Sequence, residues 1–360
     1  MTLLMTGFPG FLGSALLPRL LGRREDASAI CLVPTRHLDT ARDRVAALEA
    51  EHPWAAGRVR LVQGDLTAAH LGLTARRRHL LDDVDEVWHL AAVYDLAVPE
   101  ETARRVNVDG TARVLELARG LPGLRRLHHV STCYVSGRFD GRFDEDELEA
   151  GQQFRNHYEA TKYDAEVLVR KATADGMPVT IYRPGIVVGD STTGATQKYD
   201  GPYFLASFLH RQPVVAFVPS VPRDARFCLV PRDFVVEAMD RLSALEGSVG
   251  RTYALTDPDP PTVRELIETF ARILGKRIVW VPVPARATRA ALEHVPGLER
   301  LLGLPAEAVE YSTSPTTYGT ANTLADLAGT GLRCPRFEDY AETLLQFMQA
   351  HPEVDSKPMA

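Results

Sequence analysis

Lysine is scarce in this 360-residue chain, with five positions against 36 arginines. Cysteine is scarcer still. Cys31, Cys133, Cys228 and Cys334 lie far apart with no C-x-x-C pair. That excludes a disulfide-stapled scaffold and a cysteine metal site, and fits free thiols in a reducing cytoplasm. No stretch reaches the ~18 apolar residues of a membrane-spanning helix, and the apolar segment Met1 to Gly13 lacks the basic flank of a signal peptide. Positive charge is not in excess: 41 basic against 47 acidic residues leave −6, with pI ≈ 6.0. A surface built to coat nucleic acid or an anionic membrane is therefore not expected. Internal repeats and low-complexity tracts are also absent. What remains is 45% hydrophobic and 24% charged residues, the balance of a globular chain of one or two domains.

Short Val/Ile/Leu-rich runs at Thr2–Met5, Ala29–Val33, Val59–Gln63, Glu86–Ala91, Leu127–Ser131 and Val179–Arg183 read as strands covered on both faces. Helical patterns fall between them at Phe11–Leu21, Thr40–Glu51, Glu100–Arg119 and Arg155–Thr173. This alternation predicts right-handed βαβ crossovers and an α/β doubly wound parallel sheet of Rossmann type. Pro18 is expected to kink or shorten the first helix. After Arg183 the regularity fades, with helices expected at Phe234–Ala244, Thr262–Leu274 and Phe337–Ala350 and a strand at Thr252–Leu255. Residues 1–190 are read as the dinucleotide-binding domain and 191–360 as a smaller mixed substrate lobe over the sheet's carboxyl edge. Elements within about 229–256 are expected to return to the sheet.

Gly7, Gly10 and Gly13 lie directly after the first strand, and Phe11, Leu12 and Gly13 open the first helix. A pyrophosphate can approach that backbone, facing free N–H groups and the positive end of the helix dipole. The second strand ends without the Asp or Glu that holds an NAD ribose. It is followed by Arg36 and, in the next helix, Arg44. Guanidinium groups suit a 2′-phosphate, so NADPH is the expected cofactor. Tyr158 and Lys162 are spaced i, i+4 and so share one helix face. There an ammonium can lower the phenol toward working pH for proton transfer at a carbonyl oxygen.

The G-x-x-G-x-x-G spacing and the Tyr158–Lys162 pair resemble the extended short-chain dehydrogenase/reductase superfamily. That resemblance implies that Asp65 and Leu66 meet the adenine, and that Ala91 and Ala92 flank the cofactor. It also implies that Lys162 bonds the nicotinamide ribose. The segment Ser131-Thr132-Cys133-Tyr134-Val135-Ser136-Gly137 is similar to the superfamily's S-S/T-x-x-V-Y-G. Thr132 is thereby the hydroxyl that polarises the substrate carbonyl, with Ser131 the alternative if the register slips. Ser136 departs from the usual Tyr. Asn107 matches as a structural or cofactor-side residue.

Further stretches, Val87-Trp-His-Leu-Ala-Ala92, Tyr182–Gly194, Asp200-Gly-Pro-Tyr203, Leu229–Val236 and Tyr253–Pro258, resemble the "male sterility" type: fatty acyl-CoA reductases and thioester reductase domains. By that resemblance Pro184, Gly185 and Ile186 line the nicotinamide. The expected reaction is NADPH-dependent reduction of an acyl thioester, linked to coenzyme A or a carrier protein, to aldehyde and then alcohol. Thr132, Tyr158 and Lys162 would be the triad. Alternatives are a nucleotide-sugar epimerase or dehydratase or a ketone reductase on the same triad, and a catalytically silent NADP-sensing regulator. No metal is expected. The assembly is open, a homodimer being the commonest form.

Tyr203, Phe204, Phe208 and Val214–Val218 are candidates for an acyl channel, with Arg211, Arg223 and Arg226 at its mouth. His52, His89, His128 and His129 read as packing or surface residues, the adjacent pair pointing to opposite sheet faces. The acidic run Asp144–Glu149 reads as a solvated loop face.

Overall fold

The computed structural model describes residues 1–94 and 98–354. In chain order the elements that matter are β1 (Thr2–Thr6), α1 (Phe11–Gly22), β2 (Ser28–Val33), α2 (Leu38–Glu51), β3 (Val59–Gln63), β4 (Glu86–His89) and α3 (Asp109–Arg119). They continue as β5 (Arg126–Val130), α4 (His157–Ala174), β6 (Val179–Pro184), α5 (Pro202–Arg211), α6 (Arg232–Ala244) and β7 (Thr252–Leu255). Last come α7 (Val263–Ile273), the short α8 (Ala306–Tyr311) and α9 (Phe337–Ala350).

The seven strands form one parallel sheet in the order β7-β6-β5-β4-β1-β2-β3. This is the doubly wound arrangement expected, with its reversal point between β1 and β4, where such sheets take ligands. One face packs on α1, α2 and α6 through Leu16, Leu17, Ala41, Val235 and Met239. The other packs on α3 and α4 through Val114, Leu115, Val169 and Ala172. α1 is not shortened at Pro18: it runs on to Gly22, with Leu16, Leu17, Leu20 and Leu21 buried. Burying four leucines outweighs the ~3 kcal/mol that an internal proline costs.

The pattern at Glu100–Arg119 is not one continuous α-helix. A wider turn of π type at Arg104–Val108 interrupts it and carries Asn107. The acidic run is not simply a solvated loop either. Glu145 is buried and accepts bonds from the Ala254 and Thr323 N–H groups at 2.9 and 3.1 Å, and from the Thr323 hydroxyl at 2.8 Å. The neighbouring carbonyl of Glu147 accepts from the buried Arg183 at 2.6 Å.

A second core joins α5, α7 and α9 to the two-stranded pair Val215–Pro219/Arg277–Val281. Tyr203, Phe208, Ala216 and Val218 belong to it, whereas Val214, Val215 and Phe217 face solvent. The run 214–218 alternates as a strand, and Val218, with Phe208, Leu205 and Ile267, lines an apolar cavity. Arg226 pairs with Asp259 at 2.9 Å, and Arg211 binds the carbonyl of Arg300. Among the described residues no helix is long and apolar enough to cross a membrane.

Candidate functional site

The turn from β1 to α1 is built on glycine. Gly7 has φ +91°, and a Cβ there would lie 2.8 Å from both the Ala91 nitrogen and the Leu90 carbonyl carbon. Only glycine lets the turn press against the segment after β4. Gly10 is the N-cap of α1 and no side chain caps the helix, so the first-turn N–H groups at Phe11, Leu12 and Gly13 are open to an anion. Across this turn the Ala91 N–H donates to the Thr6 hydroxyl at 3.4 Å. A dinucleotide's pyrophosphate fits this turn by shape and by dipole. The residues present suit a nicotinamide cofactor along the line from Gly7 to the end of β5.

Beyond β2, Arg36 is exposed, its Nε donating to His37 at 3.1 Å. Its charge reaches Asp65. Burial pushes the Asp65 carboxyl up, but two bonds from Thr67 and the charges of Arg36 and Arg105 outweigh it and hold the carboxyl low. Leu66 accepts from Arg113 at 3.0 Å through its carbonyl. Arg44 lies on the exposed side of α2. Asn107 clamps Val93, accepting from its N–H at 2.8 Å and donating to its carbonyl at 3.2 Å, and also donates to Thr161 at 3.0 Å. It thereby ties the segment after Ala91 and Ala92 to α4.

At the other end, Asn156 caps α4 by accepting from the Glu159 N–H at 3.0 Å. This sets the helix so that Tyr158 and Lys162 face the end of β5. The Lys162 ammonium donates to the Val130 carbonyl at 2.8 Å, leaving two of its N–H donors for other partners. Burial lowers Lys162 to about 8, the carboxylate of Glu166 opposing that shift. Tyr158 is half-buried, and burial raises its phenol while the Thr132 hydroxyl beside it pulls the other way. Burial wins, so the phenol is raised and not lowered, and it stays protonated at neutral pH. Thr132 accepts from the Tyr134 N–H at 3.2 Å and donates to the Pro184 carbonyl at 3.4 Å. Ser131 turns away, donating to the buried Glu166 at 2.6 Å. Pro184, Gly185 and Ile186 follow directly, with Gly185 N–H on Leu255 and Ile186 N–H on Cys228. Thr132, Tyr158, Lys162 and the Pro184–Ile186 segment are thus brought to one place.

Four contacts at the site lie outside the sequence reading. Tyr94 stands edge-on to Tyr158, ring centroids 5.0 Å apart at 76°. The Lys198 ammonium sits 4.7 Å over the Tyr94 ring and 2.7 Å from the Asp200 carboxylate. Tyr311 of α8 donates to Glu159 at 2.8 Å and accepts from Asn156 at 2.7 Å, latching the second lobe to the first turn of α4. Ser136, the departure from the superfamily pattern, is met by Tyr318 from the lobe, their hydroxyls 3.1 Å apart. The lysine scarcity that marks Lys162 also marks Lys198. That was the one available signal.

A family model described as male sterility protein, of NAD-binding type, matches residues 5–239. The non-canonical nonribosomal peptide synthetase cpsA of Aspergillus campestris is 31% identical over 284 residues, 74% of this chain and 26% of that protein. The fatty acyl-CoA reductase wat of Drosophila melanogaster is 26% identical over 273 residues, 65% of this chain and 52% of that protein. The chain therefore spans about a quarter of the first relative's length and about half of the second's. Among solved structures, the terminal R domain from the myxalamid PKS-NRPS biosynthetic pathway matches with a TM-score of 0.83 at 31% identity, over 98% of this chain and 91% of that chain.

Proposed function

Because the chain belongs to the male sterility family of NAD-binding reductases, we propose that it reduces acyl thioesters with NADPH. The observation that carries this reading is the likeness to a terminal R domain across 98% of the chain, lobe included. The thioester is carried on coenzyme A or a carrier protein. Thr132, turning its one hydroxyl proton away from the long 3.4 Å bond to the Pro184 carbonyl, and the Tyr158 phenol hold the thioester's carbonyl oxygen as paired donors, where charge develops in the transition state. The bound cofactor supplies hydride. Tyr158, held protonated by its burial, gives its proton to the oxyanion. Lys162 orients the cofactor ribose with the two donors that Val130 leaves free. The hemithioacetal then collapses to aldehyde and thiol.

Tyr158→Phe tests the proton step. Turnover on acyl-CoA and acyl-carrier thioesters, followed by cofactor absorbance with products identified, should drop ~10²–10⁴-fold while cofactor affinity is kept. Near-normal turnover would remove Tyr158 from the mechanism. Conversion of a sugar nucleotide, with every thioester left untouched, would remove the thioester reading.

The preference for NADPH rests on Arg36 and Arg44 and on the lack of an acid at the end of β2. Arg36→Ala and Arg44→Ala should each raise KM for NADPH about 10–100-fold, the worth of a charge-assisted bond of ~1.5–3 kcal/mol. KM for NADH should change less than about threefold. Equal effects on both cofactors would defeat the assignment.

A further inference from the structure

Reduction of a thioester differs from reduction of a ketone in one respect: a sulfur must leave. The triad serves the carbonyl oxygen and offers nothing to the sulfur. Opposite it, Tyr94, Lys198 and Asp200 form a cluster over Tyr158. Tyr94 packs edge-on to Tyr158 at 5.0 Å, and Lys198 Nζ lies 4.7 Å over the Tyr94 ring, on the far side of that contact, and 2.7 Å from Asp200. The Asp200 carboxylate lies beside the Tyr94 hydroxyl, and its charge acts on both Tyr94 and Tyr158. Lys198 and Asp200 side chains are 22% and 14% exposed, so this is no freely solvated surface pair. Lys198 thus stands one aromatic ring away from Tyr158, one of only five lysines in the chain, and its side chain is long enough to reach a group leaving the carbonyl carbon.

We propose that Lys198 is a catalytic residue for carbon–sulfur cleavage, its ammonium donating a charge-assisted hydrogen bond to the departing thiolate. This rests on the thioester reading given above. In the collapse the hemithioacetal O–H bond breaks and its proton returns to the Tyr158 phenolate. The C=O bond forms, the C–S bond breaks, and the electron pair leaves on sulfur. An alkylammonium is a weaker acid than a thiol, so the proton stays on nitrogen and the thiolate takes one from water on release. Hydride transfer from the reduced nicotinamide precedes this step and does not involve Lys198. Asp200 and Tyr94 are positioning residues that keep the ammonium aimed at the site.

The test follows two signals in the first turnover of Lys198→Met with saturating NADPH: cofactor oxidation for hydride transfer, and thiol appearance for cleavage. Two substrates are compared, the alkyl and the aryl thioester of one acid. With the alkyl ester, cofactor oxidation should stay within about threefold of wild type while thiol release slows about 10–100-fold. With the aryl ester, whose thiolate needs no help, both signals should stay within about threefold. Lys198→Arg should restore most of the alkyl rate. Slowing of both signals, equal slowing with both esters, or no slowing at all would overturn the role of Lys198 and leave the thioester reading standing. A wild-type protein that reduces neither ester would defeat that reading and this proposal together.

Discussion

His128 and His129 are neighbours in β5, yet they live in opposite surroundings. His128 stacks on Trp88 at 3.9 Å, in a row of rings that continues through Tyr182 and Tyr253 on the α1–α6 face. Its Nδ1 lies 3.1 Å from the Tyr182 hydroxyl and its Nε2 3.6 Å from Glu86. His129 lies on the α3–α4 face, 5.5 Å from His89; among the described residues neither of its nitrogens has a hydrogen-bond partner, whereas His128 lacks one only at Nε2. That second face also holds Lys162, Asn107 and Thr111, all buried. One face is built from stacked rings with supporting charges. The other accepts a buried cation and an unpartnered imidazole, and its helix α4 carries Tyr158 and Lys162 of the candidate site.

The largest effect expected from this contrast is at Lys162. Its ammonium is lowered by burial from 10.5 to about 8, so the unfolded chain holds this proton more tightly than the folded one. Below pH 8 that difference destabilises the fold by about 3 kcal/mol, and the penalty lifts as pH rises from 8 toward 10.5. Lys162→Met should therefore be more stable than wild type by about that amount at pH 7, with the gap closing by pH 10, while turnover collapses. Denaturant unfolding at the two pH values measures it. A variant that loses stability at pH 7 would show that the ammonium holds this face together, as the rings hold the other.

His128→Leu breaks the first face instead. Burial raises the Glu86 carboxyl, but His128, Arg23 and Trp88 outweigh it and hold it near 2. Without His128 the carboxylate keeps the Trp88 indole N–H at 3.3 Å but loses the imidazole 3.6 Å away, and Trp88 loses its stacked ring. The expected cost is about 2 kcal/mol, since Arg23 and Trp88 remain. Burial also keeps His128 down at about 4, so in wild type the unfolded state gains protons first as pH falls below ~6.5. Stability is lost between pH 6.5 and 4. The leucine variant should lose less over that interval, even though it starts lower. An unchanged acid slope would separate His128 from acid unfolding.

Much of this was legible in the sequence because it is local. Val59–Gln63, Thr252–Leu255 and Phe337–Ala350 form elements with the boundaries their apolar periodicity predicts. Strands covered on both faces announce themselves as short Val/Ile/Leu runs. Tyr158 and Lys162 stand out because their spacing is itself the geometry. The Tyr94–Lys198–Asp200 cluster is different, for it joins segments about a hundred residues apart. The Tyr311–Glu159 bond spans 152 positions and the Ser136–Tyr318 contact 182. No periodicity encodes such pairs. Glu145 was misread for the same reason: its donors, Ala254 and Thr323, are contributed by the far end of the chain.

The smallest expected effect is the sharpest test of the contrast. His129→Leu replaces a fully buried imidazole with an apolar side chain. Each unsatisfied buried polar group costs roughly 1–3 kcal/mol, and removing it returns that penalty. The change of shape against His89 and the neighbouring helices costs about as much again, since near-isosteric core swaps stay below ~1.5 kcal/mol. The two nearly cancel, so His129→Leu should lie within about 1 kcal/mol of wild type, on either side, with the far-UV spectrum unchanged. Its neighbour one position earlier should lose twice that or more. If His129→Leu instead loses more than ~2 kcal/mol, its nitrogens have partners in solution, and the two faces of the sheet are satisfied alike.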